Sequence, residues 1–254
     1  MITTKANLHI EHLETSILND MTKTKNLMPL SVRLAENVDE MRLAQRLRAE
    51  AFGPAFDMQF ENGLDEDRFD VYCAHLLVFE GSRLVATTRM LDRERACLAG
   101  GFYSEQEFDL RDALAATPGN FLEIGRTCVA PEYSSMRAIQ TLWQGVAEVA
   151  TQWNADILIG CASLPLGDGD CQGWLNSLPE KHRLSLPVRA RRPLPIPVSS
   201  KQPEIPTLLK TYLRMNAKLG TQAYFDPVFH CADILIWLPL AEMTAKYRER
   251  LTAA

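Results

Sequence analysis

Phe121-Leu122-Glu123-Ile124-Gly125-Arg126-Thr127-Cys128-Val129 alternates well enough to read as a strand, and Pro131 stops it. An amphipathic run from Met136 to Trp153 follows and predicts a helix. A strand that carries a carboxylate and leads through a short loop into a helix N-terminus can hold a base beside an acyl donor. On a strand, residues i and i+3 point to opposite faces. Glu123 and Arg126 are therefore expected on opposite faces, one toward a cleft and the other tying the strand to a neighbour. The competing reading is a structural ion pair within a half-buried strand.

Working outward, Ser31–Ala35 reads as a short strand and Asp39–Phe52 as a helix stopped by Gly53-Pro54. An acid-rich loop runs from Asp57 to Asp70. His75–Phe79 and Leu84–Leu91 form a hairpin across Glu80-Gly81-Ser82-Arg83. Residues 92–120 read as an insertion with one short helix near Ser104–Ala115. Asp156–Ala162 is a buried strand, and 165–206 is broken by Gly and Pro. Thr207–Leu219 is expected to be a helix, Ala232–Leu238 a strand and Pro239–Leu251 a terminal helix. Residues 1–27 are a polar leader, disordered or weakly helical, ahead of one domain over 28–254. A hairpin followed by strand–helix–strand crossovers predicts an α/β single domain: a mixed sheet flanked by helices, with an elaborated C-terminal third.

The 254 residues carry a net charge of −5, which argues against a generic nucleic-acid binder. The six cysteines, Cys73, Cys97, Cys128, Cys161, Cys171 and Cys231, form no C-x-x-C pair and read as reduced, packed thiols of a cytoplasmic protein. No run approaches the ~18 apolar residues of a membrane span, and the N-terminus lacks a signal pattern.

Arg48 and Phe52, then Asp67 and Asp70, then Arg89, then Glu123 and Arg126 stand in the order that the acyl-homoserine-lactone synthases use. The chain departs from that group in having no tryptophan over Gly53–Met58. Leu122–Val129, Leu142-Trp143-Gln144-Gly145, Ile159–Ser163, Leu208–Arg214 and Phe229–Ile234 resemble the bacterial ornithine-lipid N-acyltransferases, a related group of the Gcn5-related N-acyltransferase fold. That resemblance covers about Leu30 to Leu238. It implies transfer of a 3-hydroxyacyl chain from acyl carrier protein to the α-amine of L-ornithine, giving a lyso-ornithine lipid. It implies acyl carrier protein as partner and donor, through its phosphopantetheine thioester, and no permanently bound cofactor. Two alternatives stay open: acylation of another amine, and a non-catalytic acyl-binding module that has no need of a base.

Against that background each candidate has a chemical role and a plainer one. An ammonium must lose a proton before it attacks a thioester, so Glu123 is the candidate base; otherwise it fixes the strand through Arg126 or Arg89. Arg48, Arg89 and Arg126 either organise the active-site face or merely pair with Asp67 and Asp70. Asp67 and Asp70 either attract a cationic substrate or belong to a solvated loop. Pro131–Arg137 lacks the glycines that coenzyme-A-using members of the fold place there. Ser134 and Ser135 can still bind a phosphate at the helix start, or simply cap it. His182 and His230 have no nucleophile context, Asp168 and Asp170 read as a turn, and Cys161 reads as packing, so direct attack by the amine is favoured over an acyl-enzyme. Residues 181–218 hold nine basic residues, Arg189, Arg191 and Arg192 among them, against Glu204 alone. This asymmetry suits docking of an acidic carrier protein; an anionic membrane surface at the inner face is the rival partner.

Overall fold

The computed structural model describes residues 28–133, 136–167, 169–194 and 201–252. The expected leader over 1–27, Ser134, Ser135 and Asp168 lie outside the described residues. The main elements are β1 (Leu30–Leu34), α1 (Val38–Phe56), β2 (Ala74–Glu80), β3 (Arg83–Asp92), α2 (Arg93–Ala99), β4 (Phe108–Asp109), α3 (Arg111–Ala116), β5 (Phe121–Val129), α4 (Met136–Gln152) and β6 (Ile157–Pro165). They continue with α5 (Cys171–Asn176), β7 (Arg189–Ala190), α6 (Thr207–Arg214), β8 (Lys218–Leu219), β9 (Tyr224–Asp226), β10 (Cys231–Pro239) and α7 (Ala245–Thr252).

The large sheet runs β1-β2-β3-β5-β6-β10-β8, with β9 also on β10. Its pairings are antiparallel except β5 with β6, which are joined by the crossover through α4. Alternation sorts the side chains. Leu76, Val78, Leu122, Ile124, Leu158, Ile234 and Ile236 pack with α4 residues Leu142, Val146 and Val149. Phe121, Ile157, Ile159, Leu235 and Trp237 face the other way, onto α2 and the 102–113 segment. The mixed sheet with helices on both faces is the expected architecture.

Four assignments differ from expectation. Helix α1 runs through Gly53-Pro54 to Phe56, and Asp57 closes it in the left-handed region (φ 52°). A proline forfeits one helical hydrogen bond, but the extra turn brings Phe52 and Phe56 onto Phe229, with ring centroids 6.1 and 5.3 Å away. Helix α6 ends at Arg214, because Asn216 at φ 78° returns the chain to the sheet as β8. The insertion over 92–120 holds two helices, α2 and α3, around a 3-10 turn, Tyr103–Gln106, rather than one. The last helix starts at Ala245, after a separate 3-10 turn Leu240–Glu242.

Gly160 lets β5 and β6 approach. A Cβ there would stand 2.2 Å from the Ile124 carbonyl oxygen.

Candidate active site

The parallel pairing of β5 with β6 runs only from Phe121↔Ile157 to Glu123↔Ile159. Beyond Glu123 the strands part. One cause lies in β5: Arg89 pairs with Gly125 and Thr87 with Cys128, so β5 spends one residue more than β3 over this stretch. That bulge carries Arg126 at φ 54°. The extra residue overturns the expectation that Glu123 and Arg126 point apart. Both line one cavity of ≈ 190 Å³ between Gly125–Thr127 on one side and Cys161–Ser163 on the other. The bulge turns Arg126 back toward the face that Glu123 occupies, so the i, i+3 rule fails at this position.

Glu123 is buried, and its carboxylate holds the insertion in place. Tyr103 N donates to Oε2 at 2.7 Å; Ser104 N and Ser104 Oγ donate to Oε1 at 2.7 and 2.5 Å. Gly100 and Gly101, at φ 83° and 127°, bend the chain after α2 so that these donors face β5. Burial pushes the Glu123 carboxyl up from the ordinary range, against these hydrogen bonds and the Arg89 charge. Oε2 accepts one bond and keeps a lone pair.

The acidic loop is clasped from below by arginine. Arg48, 1% exposed, donates from Nε to Asp65 Oδ2 (2.9 Å), from Nη1 to Asp70 Oδ1 (2.9 Å) and from Nη2 to Asp70 Oδ2 (2.8 Å). Its Nη2 also bonds the Asp65 carbonyl. Arg89 Nη1 reaches Asp67 Oδ1 at 2.6 Å and Asp70 Oδ1 at 2.9 Å. Arg126 closes the set, 3.2 Å from Asp65 and 3.3 Å from Asp67. Burial alone would raise the Asp70 carboxyl; the bonds and charge of Arg48, then the charge of Arg89, hold it well below the usual range. Asp67 is lowered in the same way, chiefly by Arg89. The structure thus brings Arg48, Arg89, Arg126, Asp67 and Asp70 into one network, but at different depths. Arg89 and Arg126 reach the cavity between the strands. Asp67 lines a second cavity of ≈ 570 Å³, whose wall Tyr103, Glu107, Arg126, Asp226 and Phe229 share with the first. Arg48 and Asp70 lie beneath both, on neither wall.

Sequence reasoning missed Asp65, Tyr103, Ser104, Glu107, Asp226 and Asp233. Nothing in the sequence sets Asp65 apart from the other acidic residues of its loop; its pairing with Arg48 and Arg126 shows only in the fold. Glu107 and the Tyr103-Ser104 pair carry no motif. Asp233 did carry a signal: a single carboxylate within the apolar run Cys231–Leu238. It pairs in register with Ser163 across β6, and Ser163 Oγ donates to it at 2.6 Å. Apolar walls complete the first cavity: Phe52, Phe56 and Phe229 at one side, Leu208, Leu209 and Tyr212 at the other. Cys73 and Cys161 line it as well. Burial pushes the Cys73 thiol up to about 12 and the Cys161 thiol well above its ordinary value. Neither is a thiolate nucleophile at neutral pH.

Arg189, Arg191 and Arg192 are exposed on and just after β7. Arg191 Nε donates to the Glu105 carbonyl at 2.8 Å, so it braces the insertion as well. All six cysteines are free; Cys97 is exposed. Among the described residues no helix is long and apolar enough to cross a membrane.

Comparison with known proteins agrees with this geometry. Residues 47–144 match the model of the acetyltransferase (GNAT) domain. The chain is 33% identical to an L-ornithine N(alpha)-acyltransferase of Agrobacterium fabrum (strain C58), covering 86% of this chain and 83% of that protein. It is also 33% identical to an L-ornithine N(alpha)-acyltransferase of Rhizobium meliloti (strain 1021), over 86% of this chain and 82% of the relative. Among solved structures, FeeM, an N-acyl amino acid synthase from uncultured soil microbes, superposes with a TM-score of 0.55 at 13% identity, covering 87% of this chain and 97% of FeeM; that likeness speaks for the fold. With relatives this similar over most of its length, and a match to the acetyltransferase (GNAT) domain over 47–144, which includes β5, the chain belongs to the L-ornithine N(alpha)-acyltransferase family and is an acyltransferase.

Proposed function

We propose that this enzyme moves a 3-hydroxyacyl chain from acyl carrier protein to the α-amine of L-ornithine, giving lyso-ornithine lipid. The observation that carries the reading is the cavity opened where β5 and β6 part, with Glu123 and Arg126 on its polar side and phenylalanines and leucines on the other. The identity of the acceptor rests on the relatives' names.

In this reading the pantetheine arm enters between the parted strands and the acyl chain lies along Phe52, Phe56, Leu208 and Leu209. The acceptor arrives from the larger cavity beyond Arg126. Glu123 removes a proton from the α-ammonium, at the free lone pair of Oε2 or through one water. Its raised pKa makes it a better base than an exposed carboxylate. The amine nitrogen then bonds the thioester carbonyl carbon and the C–S bond breaks; the nitrogen sheds its second proton to solvent as the amide forms, and the pantetheine sulfur leaves as a thiol with the proton that Glu123 took from the ammonium. The raised cysteine pKa values support direct attack with no acyl-enzyme. Arg126 and Arg89 hold the acidic loop against the reacting face. Acyl carrier protein docks on the exposed stretch around Arg189 and Arg192, where the chain is locally basic.

The test is release of free thiol from loaded acyl carrier protein. The reading expects release that depends on added L-ornithine. Release at the same rate without any amine would overturn it in favour of hydrolysis, and no release from a folded enzyme would overturn it outright.

A further inference from the structure

The mechanism above leaves three buried carboxylates unused. Glu107, Asp226 and Asp233 are 4%, 5% and 3% exposed and come from three separate segments: the end of the 3-10 turn, the end of β9, and β10. All three line the cavity between the parted strands. Glu107 Oε2 is fully buried and has no hydrogen-bond partner. Asp226 Oδ1 accepts from Val228 N and Phe229 N at 2.6 and 3.0 Å, and Asp233 Oδ1 from Ser163 Oγ. The cation that faces Glu107 and Asp233 is Arg126, whose guanidinium is already held at Asp65 and Asp67. Glu107 and Asp233 therefore share one cation committed elsewhere, and the charge of Asp226 beside them adds to burial in raising their proton affinity, as like charges out of water do.

We propose that Glu107, Asp226 and Asp233 seat the second, non-reacting ammonium of a diamino-acid acceptor. This rests on the acyl-transfer reading of the same cavity. An ammonium carries three donors and no acceptor, which matches three converging carboxylates. The seat and the base are separate groups along one cavity: from Glu123 the contacts run to Ser104 Oγ (2.5 Å), then Cys161 Sγ (3.4 Å), and Cys161 in turn bonds Glu107. The seat also explains regiochemistry. A side-chain ammonium held among carboxylates keeps its proton and cannot attack, which leaves the α-amine as the nucleophile.

A divalent metal fits less well. Asp226, Cys231 and Asp233 bring ligand atoms within 4.8 Å of one another. The Cys231 thiol, however, is raised by burial and donates to Asp233 Oδ1 at 3.7 Å, so it is a donor rather than a ligand. Hard divalent cations want six or more oxygens.

The experiment compares L-ornithine with L-norvaline, which is ornithine without its side-chain nitrogen. Affinity is read by calorimetric titration of the full chain without donor, and kcat/KM with loaded acyl carrier protein. The wild type is expected to favour ornithine by about 10- to 100-fold, the worth of charge-assisted bonds to a buried partner. E107Q and D233N are expected to narrow that ratio to within about threefold. Equal affinity of the wild type for the two ligands overturns the proposal without need of any variant, so misfolding of a variant does not shield it. Retention of the full ratio in both folded variants overturns it too, as does ornithine binding that vanishes with EDTA and returns with Mg²⁺ or Mn²⁺. Acylation of both ligands with equal efficiency would sink the seat and leave acyl transfer standing. A retained binding ratio with no acylation of any amine would do the reverse.

Discussion

Glu123→Gln separates the two things that this carboxylate does. A glutamine has one acceptor oxygen and one donor nitrogen in place of two acceptors. Its oxygen can face Ser104, keeping the bonds from Ser104 N and Oγ. Its NH₂ then faces the Tyr103 N–H, a donor against a donor where a 2.7 Å bond stood. An orphaned buried group costs about 1–3 kcal/mol. Loss of the buried charge offsets part of this, because burial already disfavours the ionised form. We expect a net loss of about 0–2 kcal/mol, which for a chain of this size lowers Tm by at most roughly 8 °C. Turnover should fall much further, by about 10²–10⁴-fold, because the proton acceptor is gone. Ser104→Ala is the control: it removes the Oγ bond and leaves the carboxylate, so it should cost about 1 kcal/mol and little turnover. The assay is denaturant unfolding beside ornithine-dependent thiol release at saturating substrates. Folded E123Q with turnover within about threefold of wild type would refute the base. Equal losses in E123Q and S104A would show that Glu123 acts only by placing the Tyr103–Ser104 turn.

Other outcomes follow from the same geometry. Arg48→Met strands Asp65 and Asp70 without their main partner and should cost about 3–5 kcal/mol, checked by denaturant titration. The folded pKa of Asp70 lies below the unfolded value near 4, so its bonds to Arg48 contribute fully above about pH 5. The gap between R48M and wild type should therefore shrink as pH falls from there through the folded value. Gly160→Ala drives a methyl into the Ile124 carbonyl and should cost about 1–3 kcal/mol or more in the same titration. Burial, and behind it the Asp226 charge, push the Asp233 carboxyl up to about 6 against the Ser163 bond and the Arg126 charge. It is ionised above that pH, so kcat/KM for ornithine should rise with pH through this range, while norvaline should show a weaker dependence. R189E/R192E should raise KM for acyl carrier protein more than KM for ornithine; Arg191 is spared because its Nε holds the Glu105 carbonyl.

Much of the scaffold is legible in the sequence because it rests on short-range periodicity. β5, its following helix, the β2–β3 hairpin and the buried β6 all follow from alternation or helical spacing. The boundaries that differ were set by contacts between distant segments: Phe229 holding the extra turn of α1, and β10 drawing Lys218–Leu219 into the sheet. The arginines and aspartates could be listed in order, but their depths could not. Nothing local marks Arg48 as buried under the loop and Arg126 as exposed to the cavity. The bulge was invisible for the same reason, since it is a mismatch in length between two strands far apart in the chain. Glu107 and Asp226 were out of reach because their partner groups lie on other segments. The lone Asp233 in an apolar strand was in plain view and marks the kind of position to question first.

The most direct test of the account is mass spectrometry of a reaction holding the enzyme, 3-hydroxyacyl-acyl carrier protein and an equimolar pool of amino acids. The account predicts one dominant new product, ornithine acylated on its α-nitrogen, placed there by fragmentation. A dominant product acylated on the side-chain nitrogen, or on an amino acid without a second amine, would contradict it.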